Sequence, residues 1–155
     1  MDDLWHYFGR IALALLMGIL LGSERQITGK TAGVKTHGLV SMGSALFIII
    51  SLIISSQFEL TTVYDPLRVA AHVIVGVGFI AGGTIFIKDA SVNGLTTAAN
   101  LWVASAIGMG IGFGLYALSI GTCLLSLMVF IITAKIDRYM INKRAASPDT
   151  KETQI

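Results

Sequence analysis

The sequence is poor in charge, cysteine and proline. Of its 155 residues, 13% are Asp, Glu, Lys or Arg, one is cysteine and two are proline. Soluble domains carry about 25% charged residues, so this composition argues against a soluble globular protein. A single cysteine excludes an intramolecular disulfide and a thiolate metal cluster. The formal net charge of +2 gives no reason to expect a nucleic-acid partner.

Long apolar runs take the place of charge. Apolar residues make up 54% of the chain, and the mean hydropathy is +0.78. About 20 apolar residues are needed to span a bilayer as a helix, and these runs lack the polar face of a soluble helix. The start has no basic region or cleavage site, so it is read as an uncleaved span. The sequence therefore predicts an all-α polytopic membrane protein with five transmembrane helices over residues 4–21, 37–54, 66–87, 95–111 and 116–134.

The last two spans are divided at a glycine-rich stretch. The apolar run 95–134 is too long for one crossing, and "GIGFGLY" lies near its middle. Glycine readily adopts the positive φ of a tight turn, which predicts a turn here. One long tilted helix is the alternative.

Lysine and arginine in short loops predict the orientation. They lie in segments 22–36, 88–94 and 135–155, which share one side in a five-span chain, whereas acids dominate the other side. The N-terminus is therefore expected outside and the C-terminus in the cytoplasm. Residues 1–135 would form the transmembrane domain, and residues 136–155 a short polar cytoplasmic tail that is expected to be disordered.

Pairs of glycines four residues apart predict close helix contacts. Such pairs either pack the five helices against each other or form a homodimer face. The three pairs are Gly18 and Gly22, Gly78 and Gly82, and Gly108 and Gly112.

A group of polar residues is predicted near the outer side, which we call the outer polar cluster: Arg10, Asp65, Arg68 and His72. Asp65 followed by proline is typical of a helix start. An arginine within a span usually has a partner inside the protein. Asp65 is the nearest acid, and the alternatives are Glu59, Asp2 and Asp3. The simpler interpretation is a helix cap beside an arginine that reaches the interface.

A second group is predicted at the cytoplasmic side, the inner polar cluster: Glu24, Arg25, Lys35, Thr36, His37, Asn93, Thr97 and Asn100. Thr36, with Thr96 or Thr97, could cap two helices, whose positive ends beside Lys35 and Lys88 would favour an anion. We expect Glu24 to reach those amides or a lysine. The alternative is a solvated carboxylate beside ordinary helix caps.

No arrangement of residues looks catalytic, so we expect neither enzymatic activity nor a cofactor. Magnesium prefers oxygen ligands that usually include carboxylates, and no acid lies in the middle of a predicted span. A metal site is therefore left open. The oxygens available at depth belong to Ser41, Thr84, Asn100, Ser105 and Thr122.

Several blocks together resemble the MgtC/SapB family of bacterial inner-membrane proteins: "LLGSERQ", "AGVKTHGLVSMGSALF", "DPLRVAAHVIVGVGFIAGGTI" and "GLTTAANLWVASAIGMGIGFGLY". The resemblance covers roughly residues 8–135. The positions typical of the family would be Glu24, Arg25, Thr36, His37, Asp65, Arg68, Gly78, Gly82, Asn93, Gly94, Thr97 and Trp102.

The resemblance implies five spans with the N-terminus outside and a link to growth under magnesium limitation. For pathogens it implies a role in survival inside host cells, and for the best-studied branch inhibition of the F-type ATP synthase. Longer family members add a soluble C-terminal domain, so this sequence is expected to be a short form.

Three hypotheses about function follow. The first is a non-enzymatic inner-membrane protein, expected to be a homodimer, that regulates or binds another membrane component through the inner polar cluster. The second is a small ion or solute permease, with Mg²⁺ as the candidate substrate. The third is a site for a lipid head group at the basic inner face.

Overall fold

The computed structural model describes residues 2–57, 65–88 and 90–145. They form five helices and one short hairpin. The elements are α1 (Asp2–Ile27), α2 (Val34–Gln57), α3 (Pro66–Gly82), β1 (Phe86–Lys88), β2 (Ser91–Asn93), α4 (Leu95–Gly112) and α5 (Tyr116–Ala145). The all-α class and the count of five helices are therefore confirmed.

Four helices are long and apolar enough to cross a membrane by length and composition: α1, α2, α4 and α5. Helix α3 is apolar but has 17 residues, which correspond to about 25 Å at the usual rise per residue. That length lies at the short end of what spans a bilayer. The chain is thus a polytopic membrane protein, and its orientation stays a prediction.

The third helix is shorter than expected, because it ends at Gly82 and not at residue 87. A turn follows in which Thr84 and Ile85 donate backbone hydrogen bonds to Ala81 and Gly82. Residues 86–88 then pair with 91–93 as an antiparallel hairpin. Short runs rich in Phe and Ile suit a strand as well as a helix, so the predicted end of the third span was wrong.

The turn between α4 and α5 lies at the predicted glycines. Gly114 has φ of 84°, and Leu115 donates its backbone N–H to the carbonyl of Gly110. The single tilted helix is therefore wrong. Helix α5 runs to Ala145 and not to residue 134, so residues 136–145 of the tail expected to be disordered are helical. The rest of that tail, 146–155, lies outside the described residues.

Helix α2 lies at the centre and contacts α1, α4 and α3, while α5 packs on α4 and α1. Large apolar side chains are fully buried between them, notably Leu21, Ile48, Leu101 and Ile107. Most other large apolar side chains are exposed on the outside, as expected for helices that face lipid. Cys123 of α5 is buried, and its Sγ lies 3.8 Å from the carbonyl of Met17 in α1.

Two of the three predicted glycine pairs bring helix backbones together. A Cβ on Gly22 would lie 2.7 Å from the carbonyl oxygen of Gly33, and one on Gly112 would lie 2.8 Å from the Cβ of Ile48. Gly18 meets the backbone of His37, and Gly108 meets that of Ser41. Both α1 and α4 therefore approach α2 through glycines. The third pair, Gly78 and Gly82, faces open space.

Candidate functional site

Arg25 is the centre of the inner polar cluster. It lies near the end of α1 and is 5% exposed. Its Nη2 donates a hydrogen bond to Thr97 Oγ1 at 3.0 Å, and its guanidinium carbon lies 5.2 Å from the centre of the Phe130 ring. Such a cation–aromatic contact gains strength when it is desolvated. One side chain of α1 thus links the first turn of α4 to α5.

Glu24 does not reach a helix terminus or a lysine in the described residues, so that expectation was wrong. Its Oε2 lies 3.6 Å from Nη1 of Arg25, the next residue. This distance makes an ion pair and not a hydrogen bond. Glu24 Oε2 and Arg25 Nε are both buried without a hydrogen-bond partner among the described groups.

The threonines do not cap helices as predicted. Helix α2 begins at Val34, ahead of Thr36, and the Val34 N–H faces Gln26 Oε1 at 3.4 Å. Helix α4 has Gly94 as its N-cap, with φ of 90° and no side-chain hydrogen bond to the cap. Thr97 lies inside the first turn and does not cap the helix. Its hydroxyl is therefore free to accept the hydrogen bond from Arg25. Gly94 is required because a Cβ there would collide with the backbone of Thr84.

A cavity of about 830 Å³ lies beside Glu24 and Arg25, and we call it the Arg25 cavity. Its wall comes from the end of α1 with the following loop, from β2, from the start of α4 and from α5. Charged groups on the wall are Glu24, Arg25, Lys30 and Asp137. Asn93 lines it too, with its Nδ2 bonded to Ser91 O and Oγ, each at 3.2 Å. Sequence reasoning missed Phe130, Lys30 and Asp137, which have no motif around them.

His37 and Asn100 form the second pair of the inner polar cluster. His37 is fully buried on α2, and Asn100 is 3% exposed on α4. Asn100 Nδ2 lies 3.0 Å from His37 Nε2, and His37 Nδ1 lies 2.9 Å from the Gly33 carbonyl oxygen. A carbonyl can only accept, so Nδ1 carries the proton and Nε2 accepts from the amide. The imidazole is thereby satisfied on both sides.

The polar contact between α2 and α4 continues toward the other end of the helices. Ser44 and Ser105 are buried with hydroxyl oxygens 2.8 Å apart, and Ser41 and Ser51 are buried on the same helix as Ser44. The sequence analysis did not select Ser44, although this residue lies seven positions beyond His37 and so on the same helical face. Ser44 and Ser105 thus hydrogen-bond across two helices, as polar side chains do in lipid, whereas the Ser41 and Ser51 hydroxyls have no hydrogen-bond partner among the described residues.

The outer polar cluster is not assembled as predicted. Arg10 Nη1 donates to the Gly112 carbonyl at the end of α4, at 3.0 Å. Its other guanidinium nitrogens, Nε and Nη2, face His6 Nε2 at 3.2 and 2.9 Å. A cation suits a helix C-terminus, where carbonyls are unpaired. Asp65 instead accepts from the Leu67 N–H at 2.9 Å and caps α3, so the Arg10–Asp65 pair was wrong and the cap is confirmed. The side chains of Asp2, Asp3 and Glu59 lie outside the described residues.

The remaining predicted residues are spread over the surface. Lys35, Arg68 and His72 are exposed, and Thr36 is half-buried. No hydrogen bond in the described residues joins Lys35 or Thr36 to the Arg25 or His37 pairs. His72 lines an apolar groove of about 620 Å³ between α2 and α3. The structure thus joins Glu24, Arg25 and Thr97, and separately His37 and Asn100.

These features define a class: a multi-pass helical membrane protein with buried polar contacts between its helices. The sequence model of the MgtC family matches residues 11–139, and the chain belongs to the MgtC family. No solved structure matches it.

Three relatives illustrate the similarity. The Escherichia coli (strain K12) protein named "Putative magnesium transporter YhiD" is 43% identical over 136 residues, which is 86% of this chain and 63% of that protein. Protein MgtC of Brucella abortus (strain 2308) is 40% identical over 110 residues, 71% of this chain and 44% of that protein. Protein MgtC of Salmonella paratyphi A is 32% identical over 149 residues, 96% of this chain and 61% of that protein. The chain spans less than two thirds of each relative's length. Of these three names, that of YhiD refers to magnesium transport.

Proposed function

We propose that this chain is a non-enzymatic protein of the bacterial inner membrane that regulates or binds another membrane component when magnesium is scarce. The observation that carries the proposal is the closed contact between α2 and α4. Gly108 lies directly against the Ser41 carbonyl, so the two helix backbones touch at Ser41, which lies between His37 and Ser44 on α2. Direct contact between the two helix backbones favours a rigid scaffold.

Two hydrogen bonds between the same helices support the same proposal. On α2, the 3.0 Å bond of His37 with Asn100 lies on one side of Ser41, and the 2.8 Å bond of Ser44 with Ser105 lies on the other. Both pairs satisfy their polar groups within the protein. Desolvated polar groups of this kind stabilise helix association in lipid. The buried members of the inner polar cluster therefore support the fold, and a partner would be met by an exposed surface.

A magnesium permease is the second candidate, and two observations favour it. One is the printed name of YhiD, and the other is the buried Glu24 Oε2, which has no hydrogen-bond partner in the described residues. A carboxylate oxygen is a ligand that Mg²⁺ prefers. Arg25 Nη1 at 3.6 Å opposes a cation there, because like charges repel in a low dielectric. We therefore rank the permease below the regulator.

Helix α3 is the proposed contact surface, and its first partner is a second copy of the chain. Val75 and Phe79 are 72% and 87% exposed. Gly78 and Gly82 of the same helix face open space. Small residues four apart allow close packing of two helices, and identical faces suit a two-fold dimer. The resemblance to the family adds the F-type ATP synthase as a candidate membrane partner.

Disulfide trapping in native membranes tests this surface. Val75→Cys is expected to give a crosslinked dimer under mild oxidation. The native Cys123 is buried, so it should not crosslink and should give no background. Leu118→Cys on α5, a position that is 69% exposed, is the matched control and should stay monomeric. Equal crosslinking at the two positions would show random collision and would overturn the α3 dimer.

Growth at low magnesium tests the regulatory role. A strain that lacks the gene should regain growth when it receives the wild-type chain. Gly78→Leu should lose this rescue at unchanged protein level, because leucine would block contact at α3. Gly121→Leu on α5, whose glycine also faces open space, should still rescue. Loss of rescue by both variants, or by neither, would contradict a specific contact at α3.

A further inference from the structure

We propose that the Arg25 cavity binds the head group of a phospholipid that carries both a phosphate and a primary ammonium group. The cavity's volume of about 830 Å³ is within the range of small-molecule sites. This inference concerns a ligand site and stands whether the chain regulates a partner or moves an ion.

One wall of the cavity offers donors to a phosphate. The amides at the start of α4 have no intrahelical acceptor by their position, and Gly94 provides no side-chain cap. The buried Arg25, 5% exposed, lines the same cavity, and its Nε has no partner in the described residues. Lys30 adds a second cation at the wall. A phosphate can accept from several such donors at once.

The cavity wall also carries negatively charged side chains. Glu24 and Asp137 line it together with Arg25 and Lys30, so the four side chains balance formally. Glu24 Oε2 is buried without a hydrogen-bond partner among the described residues. A purely anionic ligand would give this balanced cavity a net negative charge, whereas a zwitterion keeps the balance and its ammonium group would donate to the acids. Charge balance therefore favours a zwitterion, with its phosphate toward the α4 start and its ammonium toward Asp137.

Part of the remaining lining is apolar and belongs to membrane-spanning helices. Val129, Phe130 and Ala134 of α5 and Leu95 of α4 contribute to it. The charged residues lie near the ends of the apolar segments Leu4–Ile27 and Tyr116–Met140, which is the depth of lipid head groups. A cavity with a polar wall and an apolar wall at this depth suits a lipid better than a soluble phosphate.

Native mass spectrometry of the purified full chain with defined lipids tests the proposal. The probes are phosphatidylethanolamine, phosphatidylcholine and phosphatidylglycerol, with inorganic phosphate as the soluble probe. We expect phosphatidylethanolamine to bind most tightly, because only its ammonium keeps N–H donors for the acids. Lys30→Gln should weaken its binding about fivefold, the usual effect of one cation near a lipid phosphate. Asp137→Asn should weaken phosphatidylethanolamine but not phosphatidylglycerol.

Lys30 and Asp137 are both exposed, so their substitution should leave the fold intact. The matched controls are Lys35→Gln and Arg138→Gln, since both residues are exposed but neither lines the cavity. These two variants should bind phosphatidylethanolamine as tightly as the wild type does. Tighter wild-type binding of phosphatidylglycerol would overturn the zwitterion. Equal binding of phosphatidylcholine would overturn the role of the primary ammonium. Competition by millimolar inorganic phosphate, or equal effects of Lys30→Gln and Lys35→Gln, would overturn the lipid site.

Discussion

Arg25 of α1 donates a hydrogen bond to the Thr97 hydroxyl in the first turn of α4, and the two atoms are 3.0 Å apart. Phe130 of α5 covers the same guanidinium group at 5.2 Å. Residues from three helices that are far apart in sequence, Arg25, Thr97 and Phe130, therefore meet at one buried cation. Because a buried charge is tolerated only with partners, these contacts fix the position of α4 and α5 relative to α1.

Removing the acceptor of this bond should destabilise the protein. Thr97→Val keeps the shape of the side chain but leaves a guanidinium N–H of Arg25 without its partner. We expect the free energy of unfolding to fall by about 1–3 kcal/mol. The measurement is unfolding of the protein from mixed micelles by added denaturing detergent. Thr96→Val, in the same turn but exposed, is the control, and equal losses in the two variants would contradict the account.

The pair of His37 and Asn100 should show energetic coupling. A double-mutant cycle with His37→Ala and Asn100→Ala isolates the bond between Nε2 and Nδ2, which is 3.0 Å long. Interhelical hydrogen bonds in membranes average about 0.6 kcal/mol and reach about 1.7 kcal/mol. We expect a coupling energy in that range from the same unfolding assay. Strict additivity of the two substitutions would mean that the bond contributes nothing to stability.

Gly108 and Gly78 should respond differently to alanine. A Cβ on Gly108 would collide with the Ser41 carbonyl, while one on Gly78 would meet nothing within 4 Å. Gly108→Ala should therefore cost about 1–3 kcal/mol through overpacking. Gly78→Ala should leave stability unchanged or raise it by up to about 1 kcal/mol, since alanine favours a helix. A larger loss for Gly78→Ala in monomeric protein would be the contrary result.

Arg10 and Asp65 should act independently. Arg10 bonds the Gly112 carbonyl at 3.0 Å, and Asp65 caps α3 at Leu67. Arg10→Gln and Asp65→Ala are expected to lower stability additively, with the cap worth about 0.5–2 kcal/mol. Hydrogen exchange should show that Asp65→Ala loosens only the start of α3. A coupling above about 0.5 kcal/mol between the two sites would restore the ion pair that the sequence suggested.

The sequence predicted the helices well because long apolar runs have one simple outcome in a membrane. It also placed the α4–α5 turn correctly, since Gly114 adopts a positive φ of 84°. The hairpin at 86–93 was missed for a physical reason. The short run Ile-Phe-Ile at residues 85–87 satisfies either helix or strand, and the choice depends on the turn after Gly82.

The partners of charged residues were harder to predict than the residues themselves. Arg25, Thr97, His37 and Asn100 were all selected from the sequence, but their pairing depends on which helices are neighbours. Glu24 and Arg25 are adjacent in sequence, and neighbours on a helix usually point apart, so their ion pair at 3.6 Å was not foreseen. Arg10 pairs with a backbone carbonyl, which no residue pattern encodes.

The most direct test of the regulatory account is magnesium entry into liposomes that contain the folded full chain and a magnesium-sensitive dye. We predict a rate equal to that of empty liposomes for the wild type and for Glu24→Gln, because α2 and α4 touch at Gly108 and Ser41. Saturable magnesium entry in the wild type that Glu24→Gln abolishes would contradict the account and would make the protein a permease.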